Sequence, residues 1–219
     1  MWDFLQTYGP RLFDGALVTS AQFSLAALVA CTAALAAGLG RLSVLWPVRS
    51  LATIYIELFR GTSLLVQLYW IFFVLPLLGI SLPKFEAGFL SVGLNVGAYG
   101  AEIVRGAIQA VPRGQWEASY ALSMSPAKRM RRIILPQALV LMLPPWGNLM
   151  IELLKGTALV ALISVPDLMF VAKQINGATF RSAEAFGAAL LIYYILARFL
   201  ITPAMRGLER VMARRLGRA

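Results

Sequence analysis

The sequence predicts an all-α polytopic membrane protein of about five transmembrane helices, with its N-terminus outside and its C-terminus in the cytoplasm. Three observations carry this reading. Hydrophobic residues make up 59% of the 219, and mean hydropathy is +0.74, too apolar for an ordinary soluble domain. The apolar residues fall in long blocks, not in short periodic segments. The basic residues, finally, are shared unevenly between the loops that alternate across the bilayer.

Residues 15–40 contain no charged side chain and as a helix would reach about 39 Å at about 1.5 Å per residue, enough to span with tilt. Asp3 and Asp14 precede this block, which is longer than a signal-peptide core and is therefore read as retained. Further spans are expected at about 55–83, 87–107, 133–153 and 185–206, with a cytoplasmic loop over 108–132. The third span accepts Glu102 within it, because the uninterrupted apolar block alone is short. No internal repeat or low-complexity linker divides the chain, so a single domain is expected.

Five spans put the termini on opposite sides, and the cations choose the side. Arg41 and Arg49, the six Lys or Arg residues between 105 and 132, and Arg206, Arg210, Arg214, Arg215 and Arg218 share one side. The other side has only Arg11, Lys84, Lys155, Lys173 and Arg181. Positive charge flanking the cytoplasmic face accounts for the net +10, which points to membrane lipid as its partner and requires no nucleic acid. With no histidine and a single cysteine, Cys31 within the first span, neither a transition-metal site nor an internal disulfide is expected.

The most informative stretch is residues 114–137, GQWEASYALSMSPAKRMRRIILPQ, a polar and basic segment between two apolar spans. Glu117 starts a helical run, Ser125 and Pro126 form an N-cap and first-turn pair, and Pro136 is expected to end the second helix. Lys128, Arg129, Arg131 and Arg132 mark it as cytoplasmic. Glu117, Ala118, Leu122, Ile134, Leu135 and Pro136 resemble the EAA loop of the permease subunits of bacterial ABC importers. Ser119 stands where a second alanine is usual, and Ser123 where glycine, with its left-handed freedom, is usual. The segments WDFLQTYGPRL, RGTSLLVQLYWIFFVLPLLGISLP and NVGAYGAEIVRGAIQAVPRGQWEA resemble the polar amino acid (histidine/glutamine-type) importers, and among them most the ectoine and hydroxyectoine permeases.

The resemblance implies a type I ABC importer permease in the bacterial cytoplasmic (inner) membrane, whose loop is a coupling helix seated in a groove of an ATP-binding subunit. Glu117, Ala118, Leu122, Ser123 and Pro126 are the implied ATPase-coupling residues. It further implies a second permease subunit, identical or related, and an extracytoplasmic solute-binding protein. No GxxxxGK[ST] occurs, so this chain is expected to bind no cofactor and to catalyse nothing; ATP and Mg would be used by the partner ATPase.

Polar groups inside the spans need partners or a water-filled path. Glu57, Arg60, Leu64 and Gln67 share one stripe if the second span is a continuous helix. Glu57 and Arg60 then read as an ion pair or as pathway residues, and Gln67, lying deeper, as a pathway residue. In the third span Gly93 and Gly97 permit close helix packing, Asn95 can bond to a neighbouring helix or to solute, and Glu102 with Arg105 reads as a structural ion pair. Pro144, Pro145, Trp146 and Gly147 predict irregular backbone in the fourth span. Asn148, Glu152 and Lys155 follow on one stripe, where Asn148 and Glu152 either line the solute pathway or staple helices together. Residues 156–184 are expected outside, as a loop with a short helix or as a segment dipping back toward the pore.

The expected function is ATP-driven import of a small polar zwitterion, ectoine or hydroxyectoine, with a polar amino acid such as glutamine or arginine as the alternative. A stand-alone channel or ion-coupled transporter could use the same carboxylates but would not need the loop over residues 114–137. A membrane-embedded hydrolase is a third reading, disfavoured by the absence of HExxH, GxSxG and any histidine base.

Overall fold

The structure is a computed structural model that describes residues 2–215; Arg218, one of the tail cations, lies outside the described residues. Helix α1 (Trp2–Arg41) is followed by α2 (Trp46–Gly61) and α3 (Leu64–Tyr69), which widens into a π turn over Trp70–Val74 and tightens over Leu75–Leu78. Next come α4 (Lys84–Gln109), α5 (Arg113–Ala121), α6 (Pro126–Arg129), a π turn over Met130–Ile134, and α7 (Leu135–Thr157). A short tight helix, Ala158–Ile163, leads to α8 (Leu168–Thr179) and α9 (Ser182–Ile195), and a π turn over Leu196–Ile201 joins α9 to α10 (Thr202–Arg215).

Four of these helical runs, Asp3–Arg41, Lys84–Gln109, Pro126–Ile163 and Ser182–Arg214, are long and apolar enough to cross a bilayer. The pair α2 and α3 makes a fifth crossing if it is taken as one span. Its two halves meet at 108°, which corrects the expectation of one continuous helix over 55–83. Gly61, Thr62 and Ser63 are three poor helix formers in succession, and Thr62 and Ser63 are extended, at ψ 154° and 136°. Glu57 and Arg60 therefore do not share a helical stripe with Leu64 and Gln67.

The core forms where α4 lies against α1. Lipid offers helices no hydrophobic drive to associate, so close packing of small residues does that work. Ala26, Ala30 and Ala34 of α1 are fully buried. A Cβ at Gly93 would sit 2.7 Å from Cβ of Val29, and one at Gly100 would sit 2.6 Å from the ring of Trp146 on α7. Only glycine lets the three backbones approach this closely. A second core, around Phe4, Leu12, Leu168, Ile175 and Ala185, fastens the start of α1 to α8 and α9.

Two proline expectations are corrected. Pro136 does not end a helix: the chain stays helical from Pro126 to Ile163, with the wide turn over Met130–Ile134 placed directly before the missing proline N–H. Pro144 and Pro145 lie inside α7 without interrupting it. Proline's fixed φ is compatible with a helix, and Met142, Trp146 and Leu149 pack on both sides of the pair.

Candidate functional site

The polar residues of the spans resolve into three places. At the bend between α2 and α3, helix termination frees the carbonyls of Phe59 and Thr62. The Gln67 amide donates to the oxygen of Phe59 at 2.8 Å, to that of Thr62 at 3.2 Å and to Oγ1 of Thr62 at 2.6 Å. Asn95 of α4 donates to the same Phe59 oxygen at 3.1 Å and to Oε1 of Gln67 at 3.0 Å. Both amides are buried, at 9% and 7% exposure. They close the C-terminus of a broken helix, which is costly to leave open in an apolar medium. The edge of Gln67 also borders an apolar cleft of about 580 Å³ lined by Phe59, Val66, Trp70 and Leu94.

At the C-terminal end of α1, Glu102 receives Arg105, with N–O distances of 2.7 and 3.1 Å, and Arg41. Arg41 also reaches Glu57 at 3.6 Å. The expected pairing of Glu57 with Arg60 is thus corrected. The last residue of α1 takes the carboxylate, while the Arg60 guanidinium lies over the Tyr99 ring at 5.5 Å. In the sequence Arg41 reads only as flanking charge, and nothing in the periodicity points to its bridging role.

The third place is α7. Asn148, Glu152 and Lys155 are all exposed and lie on one face, at spacings of 4 and 3 residues. Among the described residues no ion pair engages Glu152 or Lys155. Beside them a cleft of about 750 Å³ opens between α7 and α9 to α10, lined by Lys155, Tyr193, Tyr194, Arg198 and Thr202 among apolar side chains. The structure thus separates the four residues read as solute-facing. Gln67 and Asn95 bond to each other inside the subunit, and Asn148 and Glu152 point out of it.

The loop after α4 is a helical hairpin. Ser123 turns it with φ 50°, so serine adopts here the left-handed backbone for which glycine is usual, and its N–H donates to the Tyr120 carbonyl at 2.8 Å. The buried Ser119 hydroxyl donates to the oxygen of Trp116 at 2.6 Å. Ser125 caps by backbone geometry alone, without a side-chain bond. Arg129, in the sequence only one of four cations, is 7% exposed. It donates to the Met124 oxygen at 3.0 Å and stacks on Tyr120. Gln115 accepts from the amide of Gln137 at 3.2 Å, tying the hairpin to the start of α7. Glu117, Ala118, Leu122, Ser123 and Pro126 all lie on its exposed surface.

Sequence reasoning also missed a polar knot under α8. Asp167, fully buried, caps α8 by accepting the Phe170 N–H at 2.9 Å, and the Tyr193 hydroxyl donates to its other oxygen at 3.2 Å. Oγ1 of Thr19 on α1 accepts the next free amide, that of Leu168, at 3.1 Å. Burial pushes the Asp167 carboxyl up to about 6, against the bonds it accepts. Aspartate between Pro166 and an apolar run is an N-cap signal that could have revealed the start of α8.

A bundle of apolar helices carrying an arginine-braced hairpin with an exposed outer face defines a multi-pass membrane subunit shaped to engage a partner. The chain belongs to the family of binding-protein-dependent transport system inner membrane components, which it matches over residues 26–214. It is 45% identical over 202 residues to the probable amino-acid ABC transporter permease protein y4tF of Sinorhizobium fredii, covering 89% of this chain and 84% of that one. It is 36% identical to the L-cystine transport system permease protein TcyB of Bacillus subtilis, covering 99% and 92%. With the glutamine transport system permease protein GlnP of Escherichia coli K12 it shares 34% identity over 96% and 97%. Among solved structures, an amino acid ABC transporter crystallised with histidines superposes with a TM-score of 0.84 at 36% identity, covering 96% of each chain. The inward-facing MetNI methionine ABC transporter shares the fold, with a TM-score of 0.79 at 20% identity over 94% of this chain and 98% of that one. The fold is that of an ABC importer permease, and the chain is a multi-pass component of the inner membrane.

Proposed function

We propose that this chain is one half of the permease pair of an ATP-driven importer for a polar α-amino acid, and that solute passes along the face of α7 carrying Asn148, Glu152 and Lys155. The observation that carries the reading is this row of exposed polar side chains on an apolar helix. Polar groups at such a place imply a water-filled path between subunits, because lipid would not accept them. Glu152 can receive an α-ammonium group and Lys155 a carboxylate, with the Asn148 amide supplying orientation. Gln67 and Asn95 support the path from behind by fixing the bend between α2 and α3.

The relatives are described as amino-acid, L-cystine and glutamine permeases. They favour the amino-acid alternative over the ectoine or hydroxyectoine reading of the sequence. Import requires an ATP-binding subunit that uses ATP and Mg, a second permease subunit and an external solute-binding protein. The hairpin presents Glu117, Ala118, Leu122, Ser123 and Pro126 to the ATPase, whose closure would rock the spans between outward- and inward-facing states. A stand-alone channel gives no role to that exposed hairpin.

The test is solute-stimulated ATP hydrolysis and uptake in proteoliposomes holding the whole transporter, with the binding protein outside, offering glutamine, arginine, cystine and ectoine separately. Uptake of an amino acid that is lost in Glu152→Gln supports the proposal. Uptake of ectoine alone reverses the solute class, and flux without ATP removes the importer reading.

A further inference from the structure

Where α1 ends and α2 begins, the surface holds a socket of about 700 Å³ with Arg41, Arg49, Ser50, Thr53, Arg105 and Gln109 on its walls. Its position results from three local facts. Arg41 is the last residue of α1, Arg49 and Thr53 are one turn apart on α2, and Arg105 and Gln109 are one turn apart near the end of α4. Two of the three guanidiniums are already committed, since Arg41 and Arg105 share Glu102, and Arg41 also meets Glu57. Arg49 is exposed and has no carboxylate partner among the described residues. Three arginines against two carboxylates leave the socket one positive charge in excess.

The surroundings decide what kind of anion fits. Trp46, 69% exposed, stands at the rim, as tryptophan does at the headgroup level of a bilayer. From the socket the exposed side chains of Leu51, Ile54 and Leu58 continue along α2 as an apolar strip, and Ile54 belongs to both the socket wall and this strip. A ligand that matches both parts has a singly charged polar head and a long hydrocarbon tail.

We propose that this socket binds the phosphodiester headgroup of an anionic membrane lipid in the cytoplasmic leaflet. Arg49 contacts the phosphate, the hydroxyl of Ser50 and the amide of Gln109 bond to the headgroup, and one acyl chain lies against Ile54 and Leu58. The inference does not depend on which solute is carried. It uses only the membrane placement and the charge and shape of the socket.

The test exchanges the purified transporter into mixed micelles with equal amounts of phosphatidylglycerol and phosphatidylcholine of identical chains, then measures retained lipid by native mass spectrometry. Wild type should retain phosphatidylglycerol about fivefold over phosphatidylcholine, as expected for one uncompensated arginine at the headgroup. Arg49→Gln, an exposed position whose replacement leaves the fold intact, should abolish the preference. Arg210→Gln, another cytoplasmic arginine outside the socket, should preserve it. Equal retention of the two lipids by wild type, or an unchanged preference in Arg49→Gln, would overturn the proposal. Displacement of the bound phosphatidylglycerol by inorganic phosphate would overturn it too, marking a free-anion site instead of a lipid site.

Discussion

The guanidinium carbon of Arg129 lies 3.5 Å from the centre of the Tyr120 ring, so the first residues of one helix of the hairpin clamp the last turn of the other. The same side chain donates to the Met124 carbonyl inside the turn. A desolvated cation–π contact with a backbone bond contributes roughly 2 kcal/mol. Arg129→Ala should leave helix content unchanged, raise protease cleavage between residues 121 and 126, and lower solute transported per ATP hydrolysed. Arg129→Lys should rescue little, because ammonium lacks the planar stack. Unaltered proteolysis and coupling in the alanine variant would show that the clamp does not order the loop.

Ser123 holds φ at 50°, a region that costs a non-glycine residue on the order of 1 kcal/mol. Ser123→Gly should therefore retain transport, with thermal stability equal or slightly raised. Ser123→Val places a β-branched side chain in the same backbone and should depress both coupling and the thermal midpoint. Comparable behaviour of the two variants in a melting and uptake series would argue against a left-handed turn.

Replacing Gln67 by leucine strips the Phe59 and Thr62 carbonyls of a donor, at a cost of about 1–3 kcal/mol for a buried unsatisfied group. Asn95→Leu removes the second donor to Phe59 and the partner of Gln67. The two losses should be strongly non-additive when thermal midpoints of the single and double variants are compared, as members of one network are. Additive losses would mean that the amides act separately.

The Asp167 carboxyl is raised by burial from 3.8 to about 6, so the folded protein binds this proton more tightly than the unfolded chain does. Its contribution is fully present below the unfolded value and is lost as pH rises through the folded one, a change on the order of 2–3 kcal/mol. Thermal unfolding of the detergent-solubilised protein should show this decline between about pH 4 and pH 6. Asp167→Asn keeps an acceptor for the Phe170 amide and should flatten that part of the profile. An identical slope in the variant would assign the decline to another group.

Much of the architecture was written in composition alone. A block of 26 uncharged residues over 15–40 has few options in a cell other than a membrane helix, and the lopsided arginines orient the later spans. The pair Gly93 and Gly97 announced close packing because only backbone separation, a local property, is at stake. Exposed Asn148 and Glu152 share a face through the helical period of α7, which short-range geometry sets.

What sequence could not show are pairings that depend on which helix stands beside which. Whether Glu57 meets Arg60 or Arg41 is decided by where α1 ends, and Gln67 faces the Phe59 carbonyl only because the chain turns through 108° between them. Arg129 on Tyr120 and Tyr193 on Asp167 are likewise contacts across a turn or between helices, invisible to periodicity. The sequence by itself determined the membrane class, the orientation and the polar hairpin between spans, since these rest on hydropathy, charge and local backbone preference. The tertiary structure alone decided which polar groups became buried staples and which stayed exposed, because a hydrogen bond or ion pair is satisfied by proximity in space, whatever its separation along the chain.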